Sequence, residues 1–130
     1  MAEYLEKTEQ QSSRAYSPAV ITQGGKTVWL AGQTALRDEQ GNDIAYNFEA
    51  QVTTIFNLID KTLKRTGGSL ANMVTMTVFI IDPRHGDRFV EMRKSFFQDG
   101  RFPASALITV SNFARPGMLI EIQGVAVVGG

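Results

Sequence analysis

Cysteine is missing from this chain altogether. That removes disulfides, thiolate nucleophiles and thiolate metal sites together, and it fits a reducing compartment. Histidine occurs once, at position 85. A single imidazole excludes paired-histidine catalysis and argues against a metal centre, so no metal and no cofactor are expected. Net charge is also absent: thirteen basic residues balance thirteen acidic ones. No basic footprint therefore points to nucleic acid or to an anionic membrane surface. No apolar run approaches the length that spans a bilayer. The opening MAEYLEKTEQQSSRAY lacks the apolar stretch of a signal peptide, and a soluble cytoplasmic protein is expected.

What is present fits one domain over residues 1–130, with 1–15 as a mobile or edge-lying start. AVIT (19–22) and TVWLAGQ (27–33) read as strands, and the Gln23-Gly24-Gly25-Lys26 between them predicts a hairpin. From about Asn47 to Arg65 the spacing of Phe48, Val52, Ile55, Phe56, Ile59 and Leu63 predicts a helix with one apolar face. Gly67-Gly68 ends it. MVTMTVFII (73–81) is a strand apolar on both sides for most of its length. A second helix begins at Asp82-Pro83 or at Gly86-Asp87 and buries Phe89, Met92, Phe96 and Phe97. ASALITV (104–110) and MLIEIQGVAVV (118–128) are the last strands.

The order β-β-α-β-α-β-β predicts an α+β domain, a single sheet with both helices on one face. The other face must be solvated or meet another subunit. On the last strand, Ile120, Ile122, Gly124, Ala126 and Val128 share the helix side, where Gly124 leaves room. Leu119, Glu121, Gln123, Val125 and Val127 share the other. Two polar residues among valines suit a sheet face buried in an oligomer around a polar cleft, because an unpaired buried carboxylate is costly. Glu121 as a structural ion pair across that interface is the competing reading.

Among other candidates, His85 reads as a surface loop residue, and Arg84, Arg88 and Arg93 as a solvated helix face. Trp29 is expected to pack. Arg115, in FARPGM beside the polar strand, can clamp a carboxylate in two-pronged fashion.

Several stretches resemble the YjgF/Rid family, also labelled L-PSP endoribonucleases: AYSPAV (15–20), VWLAGQ (28–33), EAQVTTIFNLIDKTLKRTGGSLANMVTMTVFIID (49–82), FF (96–97), FPAS (102–105) and IEIQGVAV (120–127). They cover nearly the whole chain beyond its first dozen residues. The resemblance implies a chorismate-mutase-like fold, a mixed sheet assembled as a homotrimeric barrel, and three clefts between subunits.

It also implies hydrolysis of reactive enamines and imines, small-molecule substrates, to keto acids and ammonia; the balanced charge gives no nucleic-acid or membrane partner. The family's cleft uses a tyrosine of a YS motif, an SGQ turn, an arginine in PARS and the second glutamate of EIE. Tyr16 and Gly32 match the first two. Ser105 stands at the arginine position and Gln123 at the glutamate position.

The candidate catalytic residues are then Glu121, Gln123 and Tyr16, and the candidate substrate-binding residues are Gly32, Ser105, Leu107 and Arg115. Serine offers one neutral donor where a desolvated carboxylate wants a fork, and a charged hydrogen bond is worth roughly 1.5–3 kcal/mol. Standard 2-imino acids are therefore expected to be poor substrates, with Arg115 or Arg101 as substitute anchors and Glu121 as the relocated acid–base group. The alternative is a non-catalytic trimer that binds a small metabolite or a partner in the same clefts. RNA cleavage, suggested by the family label alone, is opposed by the neutral charge and the lone histidine.

Overall fold

The computed structural model describes residues 2–129; the outermost positions of the expected domain, 1 and 130, lie outside the described residues. Among the described residues, six strands and three α-helices follow in order. They are β1 (Ala2–Tyr4), α1 (Glu9–Ser13), β2 (Val20–Thr22), β3 (Lys26–Trp29) and α2 (Phe48–Lys64). Then come β4 (Met73–Ile80), α3 (Gly86–Phe96), β5 (Ala104–Thr109) and β6 (Ile120–Val128). Among the described residues, no helix is long and apolar enough to cross a membrane.

The main sheet has the order β3-β6-β4-β5. β6 lies antiparallel to both its neighbours, and β4 runs parallel to β5. The parallel pair needs a crossover, which α3 supplies. α2 and α3 cover one face of this mixed sheet, as expected, but the single sheet read from the chain order is corrected: β1 and β2 form a separate two-stranded sheet.

α2 keeps its expected limits because both ends are chemically marked. Asn47 caps the start by accepting from the Ala50 N–H at 3.1 Å. At the other end Gly67, at φ 89°, allows Gly68 N–H to reach the Leu63 carbonyl at 3.0 Å and Gly67 N–H to reach that of Lys64 at 3.2 Å. These are the two bonds of a Schellman stop. Phe48, Val52, Ile55, Phe56, Ile59 and Leu63 are buried as the periodicity requires. They pack with Phe89 of α3 and with Met76, Val78, Ile120, Ile122 and Ala126 of the sheet in one core. Gly124 is buried among them, and a Cβ there would stand 2.5 Å from the Thr75 carbonyl oxygen.

One expectation at the start of the chain needs correction. AVIT and TVWLAGQ do not form a hairpin: β2 pairs with β1, and β3 pairs with β6 from Lys26↔Val128 to Trp29↔Val125. Gly24 and Gly25 both take left-handed φ, 71° and 77°, and the chain bends there from one sheet into the other. Within residues 2–15 the chain forms β1, on the edge of the small sheet, and α1. That helix is closed by a capping box, Thr8 with Gln11.

The helix-free side of the sheet carries Thr75, Thr77, Phe79, Glu121, Gln123, Val125 and Val127 by alternation, with Trp29 beside Val125 and Ile108 beside Phe79. Trp29 is 79% exposed and Ile108 41%. Trp29 therefore does not pack inside its own chain, because the strand position that carries it faces away from both helices.

Candidate functional site

The sequence-predicted residues fall into two groups on opposite faces of the sheet. On the open face, Glu121 and Gln123 project from β6 about 6.7 Å apart along the strand. After Trp29 the chain keeps following β6: Leu30 N–H reaches the Gly124 carbonyl at 3.1 Å, and Gln33 exchanges bonds with Ile122 at 2.8 and 3.1 Å. Ala31 and Gly32 sit between these anchors. Gly32 thereby lies against the Glu121 carboxylate, where a Cβ would collide with it. The Glu121 side chain is half-buried and has no hydrogen bond or ion pair among the described residues. Gln123 is exposed and borders a shallow depression of about 250 Å³, lined also by Trp29, Thr75, Thr77 and Val125.

The second group lies at the β5 edge on the helix side. Ser105 and Leu107 are in register with Met76 and Val78, so their side chains point toward the helices. Tyr16 is delivered beside them by its neighbours. Ser17 forms a bridge to Ala104, donates its hydroxyl to the Phe102 carbonyl at 2.6 Å, and bonds Pro103 through its N–H at 3.2 Å. Ala15, fully buried, takes φ 60°. A left-handed alanine costs about 1–2 kcal/mol, so the surrounding bonds must over-determine this turn. Tyr16, Ser105 and Leu107 line one pocket of about 200 Å³ with Val90, Arg14 and Arg93.

Arg93 corrects the expectation of a solvated arginine face. Its residue is 2% exposed. One terminal nitrogen, Nη1, donates to Ser105 Oγ at 2.7 Å, and Nη2 donates to the Arg14 carbonyl at 2.9 Å. Its guanidinium lies 5.0 Å from the centre of the Phe89 ring. Burial first, and the Arg14 charge second, pull its pKa down to about 10. Arg84 and Arg88 are exposed as expected, paired with Asp82 and with Glu49 and Glu91.

Neither substitute anchor joins the groups. Arg115 is exposed in the loop before β6, and Arg101 stacks on Tyr4, its guanidinium 4.6 Å from the ring centre. His85 is half-buried rather than a free surface residue: it stacks on Phe48 with centroids 4.1 Å apart. A larger cleft of about 500 Å³ opens near Asn57, Phe96 and Arg101, and of the sequence-predicted residues it holds only that substitute anchor, Arg101. Of its two carboxylates, Asp60 and Asp99, the first is committed to Lys64 at 2.8 Å and to the Leu70 N–H at 3.0 Å. Among the described residues, no cluster of acidic and histidine side chains has the makings of a metal site.

Comparison with known proteins assigns this geometry to a family. A RutC family protein of Pyrococcus abyssi is 26% identical over 111 residues, covering 85% of this chain and 84% of the relative. A RutC family protein of Aquifex aeolicus is 30% identical over 84 residues, 65% of each. The solved structure of YyfB, a Rid-family protein of Yersinia pestis, superposes with a TM-score of 0.86 at 21% identity over 98% of both chains, a likeness of fold. A member of the YjgF/YER057c/UK114 family from Mycobacterium tuberculosis is 26% identical with a TM-score of 0.68, over 98% of this chain and all of that one. Residues 6–128 match the family model described as Endoribonuclease L-PSP, and the chain belongs to that family, the YjgF/Rid proteins.

Proposed function

We propose that this chain is a Rid-type hydrolase of small imines or enamines, working in clefts formed where copies of the chain meet. The observation that carries the reading is Glu121: a half-buried carboxylate, unpaired among the described residues, set against a glycine on a sheet face that no helix covers. A general acid–base group requires such a carboxylate, free to exchange protons and reachable by substrate.

In the reaction, water adds to the imine carbon and forms the C–O bond. Glu121 takes a proton from that water and delivers it to the nitrogen. The carbinolamine then loses its hydroxyl proton to the nitrogen, the C–N bond breaks, and a carbonyl compound and ammonia leave. Gln123, two positions along, orients the water by hydrogen bonding, and Tyr16 borders the substrate from the adjoining copy.

This arrangement requires self-association, which we propose is a trimer. Within one chain Glu121 and Tyr16 serve opposite faces of the sheet, so a cleft using both must draw them from two copies. Trp29, at 79% exposure, and Ile108, at 41%, give the open face the apolar surface that an interface needs.

A binding-only trimer is the second reading, and Gln123 favours it, since an amide cannot relay a proton as a carboxylate can. The test is ammonia release from imines generated in situ by an amino-acid oxidase. Faster release that falls at least tenfold in Glu121→Gln supports hydrolysis. Release no faster than buffer, together with ligand-induced thermal stabilisation, establishes the binding protein instead.

A further inference from the structure

We propose that Arg93, braced by Ser105 and seconded by Arg14, forms an anion pocket that reads the carboxylate of a small organic acid. This rests on the assignment of the cleft just given, and it reverses the expectation that carboxylate-bearing imines are excluded.

Charge is the first ground. Arg93 is 2% exposed, yet no carboxylate lies within ion-pairing distance of it among the described residues. The nearby acid, Asp87, is spent on Arg14 at 2.6 Å and is itself 92% exposed. A buried cation without a counter-ion is costly; Arg14, the second guanidinium lining the pocket, already has its acid in Asp87.

Donor geometry is the second ground. A guanidinium carries five N–H groups in a fixed fork. The Ser105 and Arg14 bonds use one on each terminal nitrogen, and Nε is buried with no partner. Beyond the enclosed Nε, each terminal nitrogen therefore keeps one N–H without a partner, a pair that suits the two oxygens of a carboxylate. The two existing bonds lock the plane of the fork without filling it.

Size and lining are the third. The pocket holds about 200 Å³, several waters at about 30 Å³ each, and thus room for a short-chain acid. Val90 and Leu107 offer it an apolar wall, and Tyr16 a hydroxyl. The residue at the family's arginine position is thus a brace for a guanidinium that arrives from α3 instead.

The experiment titrates the full-length protein with pyruvate and, separately, with pyruvamide, its neutral amide. The readouts are the ¹⁵N–¹H signal of Arg93 Nε and the backbone amides of Tyr16 and Leu107. Pyruvate should shift all three and bind at least tenfold more tightly than pyruvamide. Arg93→Lys, which keeps the charge but not the fork, should weaken pyruvate at least tenfold. Should that variant fold poorly, Ser105→Ala leaves the guanidinium in place and should weaken pyruvate severalfold through loss of its brace. Equal affinity for the acid and the amide, or pyruvate binding that leaves the Arg93 signal unmoved, would overturn the proposal. Because binding is read apart from ammonia release, an anion site in an inactive protein sinks only the hydrolase reading. Hydrolysis without pyruvate binding sinks only the anion site.

Discussion

The Glu121 carboxylate rests against the bare Cα of Gly32, in space that any side chain at position 32 would occupy. The obstructing atoms are the far end of a flexible side chain, so Gly32→Ala should move the carboxylate rather than break the fold. The expected outcome is a loss of imine hydrolysis approaching that of Glu121→Gln, with a melting temperature close to that of the parent. Ammonia release and a thermal melt on the same preparation check it. Undiminished turnover in Gly32→Ala would show that the position of this carboxylate is irrelevant to the chemistry.

Trp29, Val125 and Thr75 form a row across the open face, from β3 through β6 to β4. If copies associate there, a charge at the middle of the row must be buried without a partner, at a cost of several kcal/mol. Val125→Lys is therefore expected to convert a particle of three 14.3 kDa chains into single chains by sedimentation velocity. Tryptophan emission should shift to the red as Trp29 meets water. The mutated side chain points away from the helices, so circular dichroism should not change. An assembly that survives the lysine would place the interface elsewhere.

Alternation and helical periodicity made most of this fold legible. The five helix-side positions of β6 are all buried, and the Gly-Gly stop of α2 falls where the sequence puts it. Pairing partners were less legible. Gly24-Gly25 marks a bend, but it does not say which strand the next segment will meet. α1 was missed because a five-residue helix shows no periodicity, although Thr8 and Gln11 carry its capping box.

The half-site on β6 could be read from two polar residues in an apolar run. Arg93 could not be read by charge, but it was available by spacing. It lies four residues after Phe89 and three before Phe96, on the apolar face of α3, and a cation on that face asks for a purpose. Likewise Gln51, buried beside Val52, is a polar residue on the apolar face of α2.

That glutamine ties the approach to β6. Its amide nitrogen donates to the carbonyls of Ile44 at 3.0 Å and Gly117 at 2.7 Å, and its oxygen accepts the Leu119 N–H at 2.9 Å. Both carbonyls keep a second donor, Asn47 and Tyr46 respectively. Gln51→Leu would therefore orphan chiefly the Leu119 N–H. An orphaned donor plus two weakened acceptors predicts a loss of about 2–4 kcal/mol, seen as a lower urea midpoint at unchanged slope. A loss below the error of extrapolation would mean that water replaces the amide.

Asp82 offers a test in pH. It opens the turn that leads into α3, accepting from the Arg84 N–H at 2.9 Å and pairing with the Arg84 guanidinium at 2.7 Å. The Arg84 side-chain bond, then the backbone bond, lower its pKa from 3.8 to about 2. A carboxyl whose folded pKa is depressed contributes stability that is whole above its unfolded value and lost as pH falls through the folded one. The contribution should thus be intact above about pH 5, mostly lost by about pH 2 and gone near pH 1. Asp82→Asn keeps an oxygen for the cap but loses the charge, so parent and variant should differ in urea midpoint at pH 5 and largely converge by pH 2. Raising the salt at pH 5 should narrow the gap, since the pair is exposed and easily screened. A difference that persisted unchanged to pH 2 would mean that the cap, and not the charge, is what Asp82 contributes to the start of the helix that carries Arg93.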